Sequence, residues 1–144
     1  MPVRPAIIPN LHYDDAPAAI AFLCAAFGFA LRTVQYHDSD PSVVQHAQLV
    51  LDGNMIMLST FGKSEYAALA GLKTVGAAGG NTQIPYIVID DVAGHHARAK
   101  AAGADVFMEP VAQDYGGSNY SARDPEGYVW SFGDYDPWAD VPEA

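Results

Sequence analysis

The chain has 144 residues, half of them hydrophobic, with a single cysteine, which is enough apolar material for one domain-sized core without disulfide or metal staples. Seventeen acidic residues against 7 basic ones give a formal charge of −10, and so few scattered Lys and Arg argue against a nucleic-acid partner. No apolar run approaches the roughly 20 residues that span a bilayer, so no membrane partner is expected.

The opening residues MPVRPAIIPN lack the apolar stretch and cleavage site of a secretory signal. Lone Cys24 fits a reducing compartment, and a cytoplasmic location is expected. Residues 6–13 are predicted to form a strand. Asp14 or Asp15 can cap the helix that follows, and Pro17 falls in its first turn, where a missing N–H costs nothing. Ile20, Leu23, Cys24 and Phe27 lie at i, i+3, i+4 and i+7, one apolar stripe, so Cys24 reads as a small core residue and not a nucleophile. Gly28 supplies the left-handed stop. Strands are predicted near 29–37, 43–51 and 54–60, the last two joined by the hairpin signal Asp52-Gly53. Residues 62–81, with a short helix and a glycine-rich end, read as a linker.

The second half repeats the order. A strand over 83–89 precedes a helix over 92–102 that stops at Gly103. Strands follow near 105–109, 118–123 and 128–133, with Asp124-Pro125-Glu126-Gly127 as the last turn. Ile84-Pro85 precedes Asp90-Asp91 as Ile8-Pro9 precedes Asp14-Asp15, and the offset is 76 in both cases (84 − 8 and 90 − 14). Two βαβββ modules are implied: module one over 4–61, a linker over 62–81, module two over 82–134, and an acidic tail over 135–144 expected to cap one end. A four-stranded sheet with one helix leaves a face uncovered. Pairing two such sheets is expected to create a shared concave space, an α+β fold with a pocket.

The run Tyr115-Gly116-Gly117-Ser118-Asn119-Tyr120-Ser121-Ala122-Arg123-Asp124-Pro125-Glu126-Gly127-Tyr128-Val129-Trp130-Ser131-Phe132 resembles the C-terminal signature of the glyoxalase/bleomycin-resistance/dioxygenase (vicinal oxygen chelate) superfamily. His46 to Leu49, Asn54 to Leu58 and Ile87 to Val92 resemble its inner strands and a strand-to-helix junction. The resemblance runs from about Ile7 to Phe132. It implies a curled mixed β-sheet built from two βαβββ modules, and a homodimer. It also implies, for many members, a metal held by the first strand of each module and by carboxylates of the last strands. Transferred here, those positions fall on Ile8, on Ile84 or Gln83, on Met57 and on Ser131. None is His, Asp or Glu, so neither a metal nor another cofactor is expected.

If position 8 faces the pocket, strand alternation adds Asn10 and His12. The same alternation groups His46 with Gln48, Met55 with Met57, Ile84 with Tyr86, Tyr120 with Ala122, and Val129 with Ser131 and Gly133. The candidate ligand-binding residues are Asn10, His12, His46, Gln48, Met57, Tyr86, Tyr120 and Ser131. They form an apolar, aromatic wall with neutral hydrogen-bonding groups. His37 reads as a solvated loop residue. His95 and His96 are adjacent and cannot share a helix face, so one is expected to pack and the other to be solvated. Trp130 alternates away from Ser131 and should pack under a helix, while Trp138 could cap a pocket or a dimer contact.

The leading expectation is a bleomycin-resistance-type protein that sequesters a small cationic or aromatic compound, an antibiotic among the candidates, without a metal. The alternative is a metal-dependent glyoxalase-like lyase or ring-cleaving dioxygenase whose ligands have moved, for instance to His12 and His46.

Overall fold

Two four-stranded mixed sheets carry the chain, each with one long helix against it. The computed structural model describes residues 2–114 and 116–139; Met1, Tyr115 of the signature run and residues 140–144 of the acidic tail lie outside the described residues. In the first sheet β1 (Asn10–Tyr13), β4 (Asn54–Thr60), β3 (Asp40–Leu51) and β2 (Ala30–His37) lie side by side in that order. In the second the order is β5 (Tyr86–Val88), β8 (Val129–Gly133), β7 (Ser118–Arg123) and β6 (Asp105–Ala112). The first strand of each sheet pairs parallel with the last, and the other pairings are antiparallel. Helix α1 (Ala16–Phe27) follows β1; α2 (Glu65–Ala70) and α3 (Val75–Ala78) occupy the linker; α4 (Val92–Ala101) follows β5. Among the described residues no helix is long and apolar enough to cross a membrane.

The repeat seen in the sequence is a repeat of hydrogen bonds. Met57 N donates to the Pro9 carbonyl at 2.9 Å and Ser131 N to the Pro85 carbonyl at 3.1 Å. Ala18 N donates to the Asp15 side chain and Gly94 N to that of Asp91, capping α1 and α4. The differences 85 − 9, 91 − 15 and 94 − 18 all equal 76. Gly28 ends α1 at φ 80°, a conformation that favours glycine.

The first strands are shorter than expected, Asn10–Tyr13 and Tyr86–Val88 in place of 6–13 and 83–89. Pro9 and Pro85 have no N–H to give to a ladder, so each sheet begins on the proline carbonyl and no earlier. By contrast β3 starts at Asp40 and β6 runs to Ala112, both longer than expected.

One core serves both halves. Leu23, Ala26 and Phe27 of α1 are buried with Leu49, Ile56 and Leu58 of the first sheet and with Ile87, Tyr120, Trp130 and Phe132 of the second. The Phe27 ring lies 4.8 Å from that of Phe132 and 5.7 Å from that of Trp130. Each such ring, fully buried, contributes about 2–3 kcal/mol. Cys24 packs against this core, as expected of a small apolar residue. Helix α4 holds the end of α1. Arg98 Nε and Nη2 donate to the carbonyls of Ala25 and Cys24, and His95 Nε2 donates to that of Phe27. The helix-covered faces thus share a core, and the opposite face of each sheet is left outside it. The sequence leaves open whether the shared space closes within one chain or across a dimer; within the described residues the two uncovered faces do not meet.

The Asp124–Tyr128 turn is a fastener between the halves. Asp124 Oδ2 accepts the Tyr13 hydroxyl at 2.6 Å and the Trp130 indole N–H at 3.1 Å. Its Oδ1 accepts the backbone N–H groups of Glu126 and Tyr128. Burial nevertheless raises the Asp124 carboxyl pKa, because these bonds offset only part of the desolvation. Glu126 accepts from the backbone N–H of Asp14 and Asp15, and the Tyr128 hydroxyl donates to the His12 carbonyl. The signature turn is therefore structural in this chain.

Candidate functional site

Alternation along the short first strands sends Leu11, Tyr13 and Ile87 into the core and turns Asn10, His12, Tyr86 and Val88 to the uncovered faces. Cross-strand pairing then builds a row on each face. On the first sheet Asn10 is paired with Met57, Met57 with Gln48, and Gln48 with Thr33. Beside this row His12 is paired with Ser59, and its Nδ1 lies 3.3 Å from Ser59 Oγ. The Gln48 side-chain amide donates to His46 Nε2 over 3.1 Å. Burial lowers the His12 pKa, so its imidazole is neutral at neutral pH.

On the second sheet Tyr86 is paired with Ser131, Ser131 with Ser121, and Ser121 with Met108. The Ser121 and Ser131 hydroxyls are 2.6 Å apart. Val88 and Asn119 flank Gly133 in the next row. The rows match each other through the repeat, since Asn10 and Tyr86 are also 76 apart. No Asp, Glu, Lys or Arg stands in either row.

Among the eight candidates, Asn10, His12, His46, Gln48 and Met57 share the uncovered face of the first sheet, and Tyr86 and Ser131 that of the second. Tyr120 is the exception and leaves the set. It is fully buried on the helix side with Ala122, and its hydroxyl donates to His95 Nδ1. The reason is the turn length: residues 124–128 make the hairpin pair Arg123 with Val129, which sets Ser121, not Tyr120, opposite Ser131. That five-residue turn was countable in the sequence and would have found Ser121. Ser59 and Thr33 were also missed; they become visible only once the register of β4 and β2 is known.

The remaining histidines are settled by their partners. His37 is exposed at the end of β2, its Nδ1 accepting from Ser39 N. His95 and His96 are both partly buried, the latter with Nε2 at 2.6 Å from Glu109 Oε2, which corrects the expectation that one would be solvated.

Three clefts border these faces. One of about 610 Å³ lies among Arg4, Ile8, Arg32, Val50, Met55 and Tyr86. Another of about 550 Å³ lies among Asn10, Leu72, Lys73, Val75, Ile84 and Tyr128. The third, about 320 Å³, is formed by Tyr86, Asn119, Tyr135 and Pro137. None gathers the candidates from both sheets into one enclosure.

The side chains at the positions that the family resemblance singles out do not fit a divalent metal. Ile8 and Ile84 lie ahead of β1 and β5 and are 36% and 57% exposed. The residues that do stand beside Met57 and Ser131 are Asn10 and Tyr86. Together they offer a thioether, a hydroxyl, an amide and a phenol, where a catalytic divalent ion takes about three N, O or S protein ligands that bind as anions or imidazoles. His12 and His46 are each hydrogen-bonded to a neutral neighbour, with no carboxylate in their rows. Among the described residues no group of three or more His, Cys, Asp or Glu side chains could hold an ion.

Comparison with known proteins gives a consistent result. The family model described as "Glyoxalase/Bleomycin resistance protein/Dioxygenase superfamily" matches residues 9–132. An uncharacterised protein of Mycobacterium bovis is 32% identical over 133 residues, covering 91% of this chain and 84% of that one. Among solved structures, TioX from Micromonospora sp. ML1 superposes with a TM-score of 0.70 at 27% identity, covering 90% of this chain and 98% of that chain. A glyoxalase-related enzyme from Fulvimarina pelagi superposes with a TM-score of 0.65 at 17% identity, over 91% of this chain and 88% of that one, and shares the fold.

Proposed function

Because the chain belongs to the glyoxalase/bleomycin resistance protein/dioxygenase superfamily, we propose that it binds a small molecule on the uncovered faces of its two sheets, without a divalent metal. The observation that carries this reading is the pair of equivalent rows, Asn10–Met57–Gln48 and Tyr86–Ser131–Ser121, which are neutral and mix apolar surface with hydrogen-bonding groups. Such a wall favours an uncharged or aromatic ligand over a cation, because a buried cation needs a compensating charge that neither row supplies. In this reading a homodimer completes the site: among the described residues neither uncovered face has a second sheet opposite it, and a symmetric second copy would supply one.

Isothermal calorimetry against a panel of antibiotics and aromatic metabolites, run with and without EDTA, tests the reading. Binding at micromolar Kd or better that EDTA leaves unchanged supports it. Loss of binding on chelation, restored by zinc, nickel or iron, overturns it in favour of a metal-dependent lyase or dioxygenase.

A further inference from the structure

The arginines of this acidic chain are not all engaged. Arg98 is committed to the carbonyls of Ala25 and Cys24, and Arg123 is paired with Asp105. Arg4 and Arg32 have no carboxylate partner among the described residues, and both line the cleft of about 610 Å³. No Asp or Glu lines that cleft; Asp52, next to Gly53, is not part of its wall. In a chain of formal charge −10, two unpaired guanidinium groups on one cleft make a local site for an anion.

The backbone brings each arginine there. Arg4 lies on the segment ahead of β1, and its Nη2 donates to the Gly53 carbonyl at 3.3 Å, in the turn between β3 and β4. That bond fixes one corner of the guanidinium and leaves its other donors for a ligand. Arg32 stands on β2, the outermost strand of its sheet. Leu31 is paired with Leu49 and Thr33 with Gln48, so Arg32 is the extra residue of a bulge and has no partner on β3. A bulge re-aims the side chain it carries. The apolar wall of the cleft continues the first sheet. Val50 is paired with Met55, two residues along from Gln48 and Met57 and hence on the same uncovered face. The neutral row Asn10–Met57–Gln48 thus runs on into a cleft that carries two positive charges.

We propose that this cleft is an anion subsite, in which Arg4 and Arg32 hold the carboxylate of a small aromatic acid while its ring lies on Val50, Met55 and the row beyond. This rests on the reading that the uncovered faces bind a small molecule. It specifies the ligand class and the end of the first sheet at which the charge sits. The cleft has the volume of a small-molecule site. A guanidinium meets a carboxylate through two parallel N–H···O bonds. The charged head stays at the exposed arginines and the neutral row takes only the ring, so no charge is buried unpaired.

The test uses the full chain and two probes of one shape, 2-naphthoate and its neutral amide, 2-naphthamide. The expected result is that 2-naphthoate binds more tightly and shifts the amide signals of Gly53, Asn54 and Met55 in nuclear magnetic resonance. Arg4→Gln and Arg32→Gln each weaken 2-naphthoate binding by about threefold to tenfold and leave 2-naphthamide binding unchanged. Arg123→Gln, which removes a guanidinium paired with Asp105 on the second sheet, changes neither. Arg4 and Arg32 are exposed, so both glutamine variants keep the parent circular dichroism spectrum. If 2-naphthamide binds as tightly as 2-naphthoate, or either glutamine variant binds 2-naphthoate as tightly as the parent chain, the subsite is overturned and the binding face stands. The same holds if 2-naphthoate leaves Gly53, Asn54 and Met55 unshifted. If neither naphthyl probe binds while another panel compound does, the subsite is again overturned alone. If no compound binds, the functional reading falls and the subsite with it.

Discussion

The Tyr13 hydroxyl donates to Asp124 Oδ2 across 2.6 Å, and this bond fastens the turn after β7 to the end of β1. Both groups are buried, so a lost partner is not replaced by water. Tyr13→Phe should cost about 1–2 kcal/mol of stability. Asp124→Asn should cost more, about 2–3 kcal/mol, because its amide cannot accept at both positions and meets the Trp130 indole N–H with a second donor. Urea denaturation of the two variants checks the order.

Stability should fall on mild acidification through His95. Its imidazole lies between the Tyr120 hydroxyl and the Phe27 carbonyl, and burial lowers its pKa against the smaller opposing effect of the Phe27 bond. Arg98 lowers it further, while Asp52 and Asp91 oppose more weakly. The unfolded chain then holds this proton more readily than the folded one. The contribution is complete above the unfolded pKa of about 6.5 and is lost as pH falls through the folded value. His12 acts in the same direction. Thermal melts at about pH 7.5 and about pH 5 should therefore differ, and the difference should shrink in His95→Gln.

Gly133→Ala should disturb both fold and site. The new Cβ would press on the Ser118 carbonyl, which is backbone and cannot rotate away, and on the Tyr86 hydroxyl. A cost of about 1–3 kcal/mol is expected. The same variant should weaken binding of any ligand that uses Tyr86, measured by calorimetry under conditions where the protein remains folded.

Met57→Lys separates binding from stability. Met57 lies on the uncovered face between Asn10 and Gln48 and outside the shared core. A lysine there should change stability by about 0.5 kcal/mol or less. It should weaken binding of an uncharged ligand by about tenfold or more, through the cost of burying an unpaired ammonium. Unchanged affinity would place the ligand away from the first sheet.

Much of the architecture was legible because it rests on local chemistry repeated at a fixed interval. Pro9 and Pro85, and Asp15 and Asp91, do the same work in both halves, and their spacing is visible without coordinates. Strand faces were legible where a buried anchor set the phase, as for Leu58 in β4. They failed in β7, where alternation correctly placed Tyr120 with Ala122 but their side follows from the length of the 124–128 turn, which alternation alone does not count. That choice belongs to the hairpin register fixed by Asp124 and Tyr128. The way the halves join was not legible, because Arg98 and His95 cap α1 across about 70 residues of chain, and no short-range pattern encodes such a contact.

The central claim is that the neutral rows on the uncovered faces, and no metal centre, bind the ligand. Amide chemical-shift mapping in the presence of EDTA, during titration with the tightest compound from the panel, tests it most directly. The account predicts shifts concentrated at Asn10, Gln48, Met57, Tyr86, Ser121 and Ser131, unaltered by the chelator. Shifts confined to α1 and α4, or a titration that works only after a divalent cation is added back, would contradict it.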